Sequence, residues 1–106
     1  MISLRDIIQA EKKIRSFVKK TSLVNSKFLS EACKGKVYLK LENQQISNSF
    51  KVRGATNRML HLSVEERKRG IITASSGNHA IAVAIAAQKF NTPVKVVVPK
   101  KLQRRK

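Results

Sequence analysis

The stretch from Gly70 to Pro99, "GIITASSGNHAIAVAIAAQKFNTPVKVVVP", constrains the fold more than any other part of the chain. Two short runs rich in Ile and Val flank an alanine-rich run, "HAIAVAIAAQKF", that no strand period explains. Alanine is the best helix former, and two β-branched runs separated by a helix cannot close as a hairpin. Their spacing suits a βαβ unit, which takes about 30 residues, with parallel strands and a right-handed crossover. Residues 71–98 are therefore expected to form a βαβ unit of an open parallel sheet, and the chain is of the α/β class. Apolar residues occupy nearly the whole circumference of the helix, which predicts cover on most of its sides.

The remainder reads as shorter elements. Ser3-Leu-Arg-Asp6 has capping-box spacing, and Leu4, Ile7, Ile8, Ile14 and Val18 share a face, predicting a helix from about Leu4 to Phe17. A second helix is expected from about Ser26 to Cys33, stopped by Gly35. "KVYLKLE" alternates as a half-buried strand does, and "NQQISNS" follows as a polar loop. Ser49 is the expected N-cap of a helix from about Lys51 to Leu60. Ser63-Val-Glu-Glu66 is a second capping box, opening a helix that ends before Gly70.

Charge needs an explanation, because 23 Lys+Arg stand against 6 Asp+Glu. Taken alone, the imbalance suggests a polyanionic partner. Aromatics are only 5% with no tryptophan, so a base-stacking platform is poorly supplied. No helix-turn-helix or zinc-finger spacing is present, which makes nucleic acid the weaker expectation. Ala80 to Ala87 is the longest apolar run, far short of the ~18–20 residues of a membrane span. Arg5 and Asp6 interrupt any secretory apolar region, and the single Cys33 allows no internal disulfide. A reducing, cytoplasmic setting is the resulting expectation.

Ligands of open parallel sheets bind beyond the strands' carboxyl ends, facing helix N-termini. "SSGN", Ser75 to Asn78, holds that position. It is either an anion site at a helix N-terminus or a set of ordinary turn and capping residues. Lys51 lies after a loop that follows a strand, beside bulky Phe50, which offers some shielding from water. A partly desolvated lysine keeps a neutral amine more easily, as Schiff-base chemistry requires. His79 reads as a first-turn residue bonded locally, and with His61 remote no metal-ligand spacing exists.

"LKLENQQISNSFKVRGATNRM" followed by "ITASSGNHA" resembles the threonine/serine dehydratases, pyridoxal-phosphate enzymes of fold type II, and the related serine racemases. The likeness runs from about Arg5 through Pro99. It implies that Lys51 binds pyridoxal 5'-phosphate as a Schiff base, with Phe50 packed beside it and Asn78 bonded to the ring's phenolic oxygen. It implies further that Ser75, Ser76, Gly77 and His79 surround the carboxylate of an amino-acid substrate. The expected reaction is β-elimination of threonine or serine to a 2-oxoacid and ammonia. In the racemase relatives the residue matching Ser76 is an acid/base on the opposite face of the ring. Full-length members are expected to be homo-oligomers.

The chain departs from the family in places. Ser47-Asn48 replaces a common Thr-Gly, and Asn tolerates the left-handed conformation that such a turn uses. Thr21-Ser22-Leu23 replaces Thr-Pro-Leu, and Ile81 a frequent glutamine. The family's downstream glycine-rich phosphate loop has no counterpart among four glycines, so the chain is expected to be an N-terminal fragment, inactive alone. Residues 1–50 would then be the first helices and strand of the large domain, and 51–99 the start of the smaller α/β domain. Residues 100–106 form a basic tail, read as frameshifted: losing one base from an adenine run turns it into a less basic continuation. An in-frame gene with an ordinary stop would sink that reading. Exposed apolar surface on such a half-domain predicts aggregation.

Overall fold

The computed structural model describes residues 1–100, so the tail beyond Lys100 lies outside the described residues. Helix α1 spans Leu4–Ile14, strand β1 Leu23–Asn25, helix α2 Lys27–Ala32 and strand β2 Tyr38–Lys40. A 3-10 turn over Glu42–Gln44 precedes α3, Lys51–Leu60, and α4, Val64–Arg69. The chain continues through β3, Ile71–Ala74, α5, Asn78–Lys89, and β4, Val94–Val97.

β3 and β4 pair in parallel, Ile71 opposite Val94 through Ala74 opposite Val97, with α5 as the connection between them. This is the unit expected over 71–98, trimmed at its ends. Gly70 sets its register at the entrance. Its φ is +88°, and a Cβ there would stand 2.9 Å from the Pro93 carbonyl oxygen, which accepts from Ile71 N–H at 2.9 Å. Only glycine permits both the backbone angle and that approach. α5 ends in a Schellman turn: Asn91 is left-handed at φ 47°, Thr92 N–H donates to Ala87 O at 2.9 Å, and Asn91 N–H to Gln88 O at 3.2 Å.

The core lies between α3 and α5, where Val52, Ala55 and Met59 meet Ala82, Val83, Ala86 and Ala87. Small alanine side chains let the two helix backbones approach closely. Phe90, Val18, Leu62, Ile71 and Ile85 close the margins. Cover on most sides of α5 is not what the structure shows. One face is buried, while Ile81 stays 51% exposed, because two strands and α3 supply all the broad packing α5 receives.

Four local expectations also change. α1 stops at Ile14 rather than Phe17, turning where Phe17 N–H donates to Ile14 O, and of its apolar stripe Ile14 alone is buried. Its Ser3–Asp6 capping box is formed, as is that of Ser63 and Glu66. α2 ends through Lys34, left-handed at φ 50°, with Gly35 merely following. The alternating strand is shorter than "KVYLKLE" and pairs antiparallel with β1, an element too short to show a period. The polar loop is anchored: Gln45, 2% exposed, accepts from Lys19 N–H and donates to Lys19 O, each at 2.8 Å. That amide works as a one-residue strand, tying the segment after α1 to the loop before α3.

Candidate functional site

The approach to Lys51 is a rigid turn. Asn48 takes the left-handed conformation, φ 55°, and its N–H donates to Gln45 O at 2.8 Å. Ser47 Oγ donates to Ser49 O at 2.9 Å. Ser47-Asn48 thus sustains the turn as anticipated, because the asparagine side chain tolerates a positive φ. Ser49, however, does not cap α3. Phe50 occupies the capping position with helical angles, φ −65° and ψ −14°, so Ser49 stands one residue too early for its hydroxyl to reach the first-turn amides. Its Oγ is buried without a hydrogen-bond partner among the described residues.

Lys51 is the first residue of α3. Its Nζ lies 5.0 Å from the centre of the Phe50 ring and makes no hydrogen bond or ion pair among the described residues. The ring contact is present, but Phe50 is 58% exposed and Lys51 itself is exposed, so the expected shielding from water is not achieved within this chain.

Two residues on, Arg53 locks the helix to the preceding segment. Its Nε and Nη2 donate to the two carboxylate oxygens of Glu42 at 2.8 and 2.7 Å. Thr21 Oγ1 donates to the same carboxylate. The Arg53 guanidinium chiefly, with the Thr21 hydroxyl and Lys40 adding to it, outweighs desolvation and holds Glu42 down to about 2.

The second cluster is continuous in sequence. Ser75 N–H donates to Val97 O at 3.1 Å, extending the β3–β4 ladder by one bond. Gly77 N–H donates to Ser75 Oγ at 3.3 Å, drawing the loop over the end of the strand. Gly77 then caps α5 with its backbone alone, and no side chain serves the N-terminus. A Cβ on Gly77 would meet nothing within 4 Å, so the space above this helix end is open. Ser76 and Asn78 are exposed. His79 lines a different hollow, of about 220 Å³, with Arg58, Met59, Leu62, Thr73 and Val83, and its ring makes no local hydrogen bond among the described residues.

The helix ends fall into two groups. α1, α2 and α4 are capped by the hydroxyls of Ser3, Ser26 and Ser63. α3 and α5, which carry Lys51 and Asn78, have no side-chain cap. These two helices also make the broadest packing contact of any pair of elements. Lys51 and the 75–78 loop therefore share one scaffold, although no hydrogen bond joins them. Each uncapped end offers unpaired N–H groups and the positive end of a helix dipole to an anion. Among the described residues no cluster of His, Cys, Asp or Glu is arranged for a metal ion.

Three features of this region differ from what the sequence suggests: the Gln45 anchor, the Glu42–Arg53 pair and the unpartnered Ser49 hydroxyl. Nothing local signals the first two, whose partners lie 26 and 11 residues away. Ser49 was noticed, but for a capping role that the backbone excludes.

Comparison with known proteins adds the wider context. The sequence model for pyridoxal-phosphate dependent enzymes matches residues 14–106. An L-threonine ammonia-lyase of Thermotoga maritima is 51% identical over 100 residues, which are 94% of this chain and 25% of that protein. A catabolic L-threonine dehydratase of Staphylococcus aureus is 47% identical over 93% of this chain and 29% of its own length. Among solved structures, serine racemase from Dictyostelium discoideum superposes with a TM-score of 0.89 at 36% identity, over 96% of this chain and 34% of that one. A threonine deaminase from Solanum lycopersicum gives 0.79 at 36% identity, over 96% and 30%. The chain thus spans about a quarter to a third of the length of these relatives.

Proposed function

Because the chain belongs to the family of pyridoxal-phosphate dependent enzymes, we propose that it supplies the lysine and asparagine side of the active site of an L-threonine or L-serine ammonia-lyase. The observation that carries this reading is one scaffold bearing, among the described residues, an unpaired amine at the head of α3 and an uncapped N-terminus on α5. These residues fit pyridoxal 5'-phosphate. The Lys51 amine has no hydrogen-bond or ion-pair partner among the described residues, and no atom crowds the α5 N-terminus at Gly77. Residues 1–50 would belong to the large domain and 51–99 to the smaller one.

In this reading Lys51 would hold the cofactor, Phe50 would flank it, and the Asn78 amide would donate to the ring's phenolic oxygen. When bound, the cofactor withdraws electrons from the substrate's α-carbon, acidifying the α-proton. With an amino acid in the site, the Lys51 amine would accept that proton. Ser75, Ser76, Gly77 and His79 form the surround of the substrate carboxylate, with the α5 N-terminal amides donating to it. Loss of the α-proton and β-hydroxyl then yields, after hydrolysis, a 2-oxoacid and ammonia.

A serine-racemase reading is favoured by the likeness to the Dictyostelium enzyme and by the exposed Ser76 hydroxyl. Returning a proton from the Ser76 face would racemise the substrate in place of eliminating water.

The test is to incubate the chain with pyridoxal phosphate, reduce with borohydride and map the modified peptides. Label concentrated on Lys51 is expected. Label scattered across the lysines would overturn the assignment of a selective site to this chain.

A further inference from the structure

The hollow of about 220 Å³ where α3, α5 and β3 meet has no part in the cofactor reading beyond His79 on its lining. Each element contributes to it at its own period. α3 brings Arg58, Met59 and Leu62, α5 brings His79 and Val83 one turn apart, and β3 brings Thr73 on its half-buried face. Met59 and Val83 are 2% and 8% exposed and belong to the core, so the floor is aliphatic. Arg58 and His79 are exposed, which places them at the mouth. Of the described residues that line the hollow, none is acidic.

The Arg58 guanidinium and the Thr73 hydroxyl make no hydrogen bond or ion pair among the described residues. Glu66 acts on Arg58 through its field alone, since its carboxylate is engaged by Ser63 N–H at 2.7 Å in the α4 capping box. A permanently charged fork and a hydroxyl therefore stand unengaged around an aliphatic floor. Neither belongs to the residues assigned to the cofactor or its substrate. Arg58 lies two turns beyond Lys51 on α3, about 10 Å along the helix axis.

We propose that this hollow binds a short aliphatic carboxylate. Small-molecule sites are lined mostly by apolar side chains, with a few polar groups that fix orientation. The planar fork of arginine pairs a carboxylate through two parallel hydrogen bonds, and the Thr73 hydroxyl donates a third. The volume equals that of about seven waters, so the ligand has about six or seven non-hydrogen atoms, the size of butanoate or 2-oxobutanoate. A phosphate ester or a sugar would set polar oxygens against the aliphatic floor, and an amine would meet the like charge of Arg58. The site is separate from the pyridoxal-phosphate reading, and its test makes no use of Lys51.

The experiment titrates the isotope-labelled chain with butanoate and follows the methyl resonances of Met59, Leu62 and Val83. Saturable shifts at roughly millimolar ligand are expected for so few atoms. Arg58→Gln should weaken binding about tenfold or more, the strength of hydrogen bonds to a charged group, and Thr73→Val by a smaller factor. Variants are compared at equal folded fraction, set by their urea midpoints. 1-Butanol keeps the chain without the charge, and formate the charge without the chain; each should bind about tenfold or more weakly than butanoate. Arg58-dependent binding of either butanoate or 2-oxobutanoate supports the site. Whichever binds tighter tells a plain fatty acid from a 2-oxoacid such as the proposed reaction releases. Undiminished binding in Arg58→Gln, 1-butanol binding as well as butanoate, or no saturable shift in the wild-type chain would overturn the proposal.

Discussion

Lys34 shows how a single residue can be placed against its own preference. It occupies the left-handed position of the α2 Schellman turn, φ 50°, with its N–H donating to Glu31 O and that of Gly35 to Ser30 O at 3.0 Å. An L-residue with a Cβ pays about 1–2 kcal/mol there, whereas glycine pays only the entropy of its looser unfolded chain. Lys34→Gly should therefore raise the unfolding free energy by about 0.5–1 kcal/mol, read from the urea midpoint at unchanged slope. The sequence reading assigned the stop to Gly35 because glycine is the usual occupant. Which of two neighbours becomes left-handed is settled by where the last carbonyls of the helix find their donors. Asn48 was legible for the converse reason: a positive φ suits its side chain, so the expectation needed no tertiary contact.

Among the elements, α3 matters most, and it is held by a side-chain pair. Glu42 is depressed to about 2 from an ordinary 4.5 by Arg53, so the ion pair's contribution is complete above pH 4.5. It is lost as the pH falls from there through about 2, since the unfolded chain binds the proton first. The depression corresponds to at most about 3.4 kcal/mol by linkage, part of it owed to Thr21 and Lys40 and reduced by solvent screening. Arg53→Met should lower stability at neutral pH by about 2 kcal/mol and flatten the acid limb between those values, followed by denaturation at a series of pH values. An acid limb that survived unchanged in the variant would assign it to another carboxylate. Here the sequence was silent, because an arginine and a glutamate separated by a polar loop announce nothing about their meeting. α3 nonetheless runs over the expected Lys51–Leu60, although the Ser49 cap from which its start is read does not form.

At the scale of the whole molecule, the two-stranded parallel sheet leaves Ile72 73% exposed, Val97 51% and Val98 48%. Its outer strand edges are unpaired among the described residues. Parallel sheets are ordinarily covered on both faces, and open apolar edges template association. Self-association in the micromolar range is expected by sedimentation velocity, and Ile72→Lys should reduce it by placing a charge on the exposed face. A chain that stayed monomeric throughout would show that its high positive charge suffices to keep copies apart. No helix among the described residues is long and apolar enough to cross a membrane.

Periodicity and local hydrogen bonding were enough for the βαβ unit, both capping boxes and the turn at Asn48. Each is decided by residues within a few positions of one another. The resemblance of the two motifs pointed to the family, which the comparisons establish for residues 14–106. Tertiary structure alone decided the rest. It buried Gln45 against Lys19, joined Glu42 to Arg53, placed His79 on the lining of the same hollow as Thr73 and left Ser49 without a partner among the described residues. All four involve polar side chains whose partners, or lack of them, depend on how separate segments meet. A polar residue satisfied from afar reads in the sequence just as one satisfied by water does.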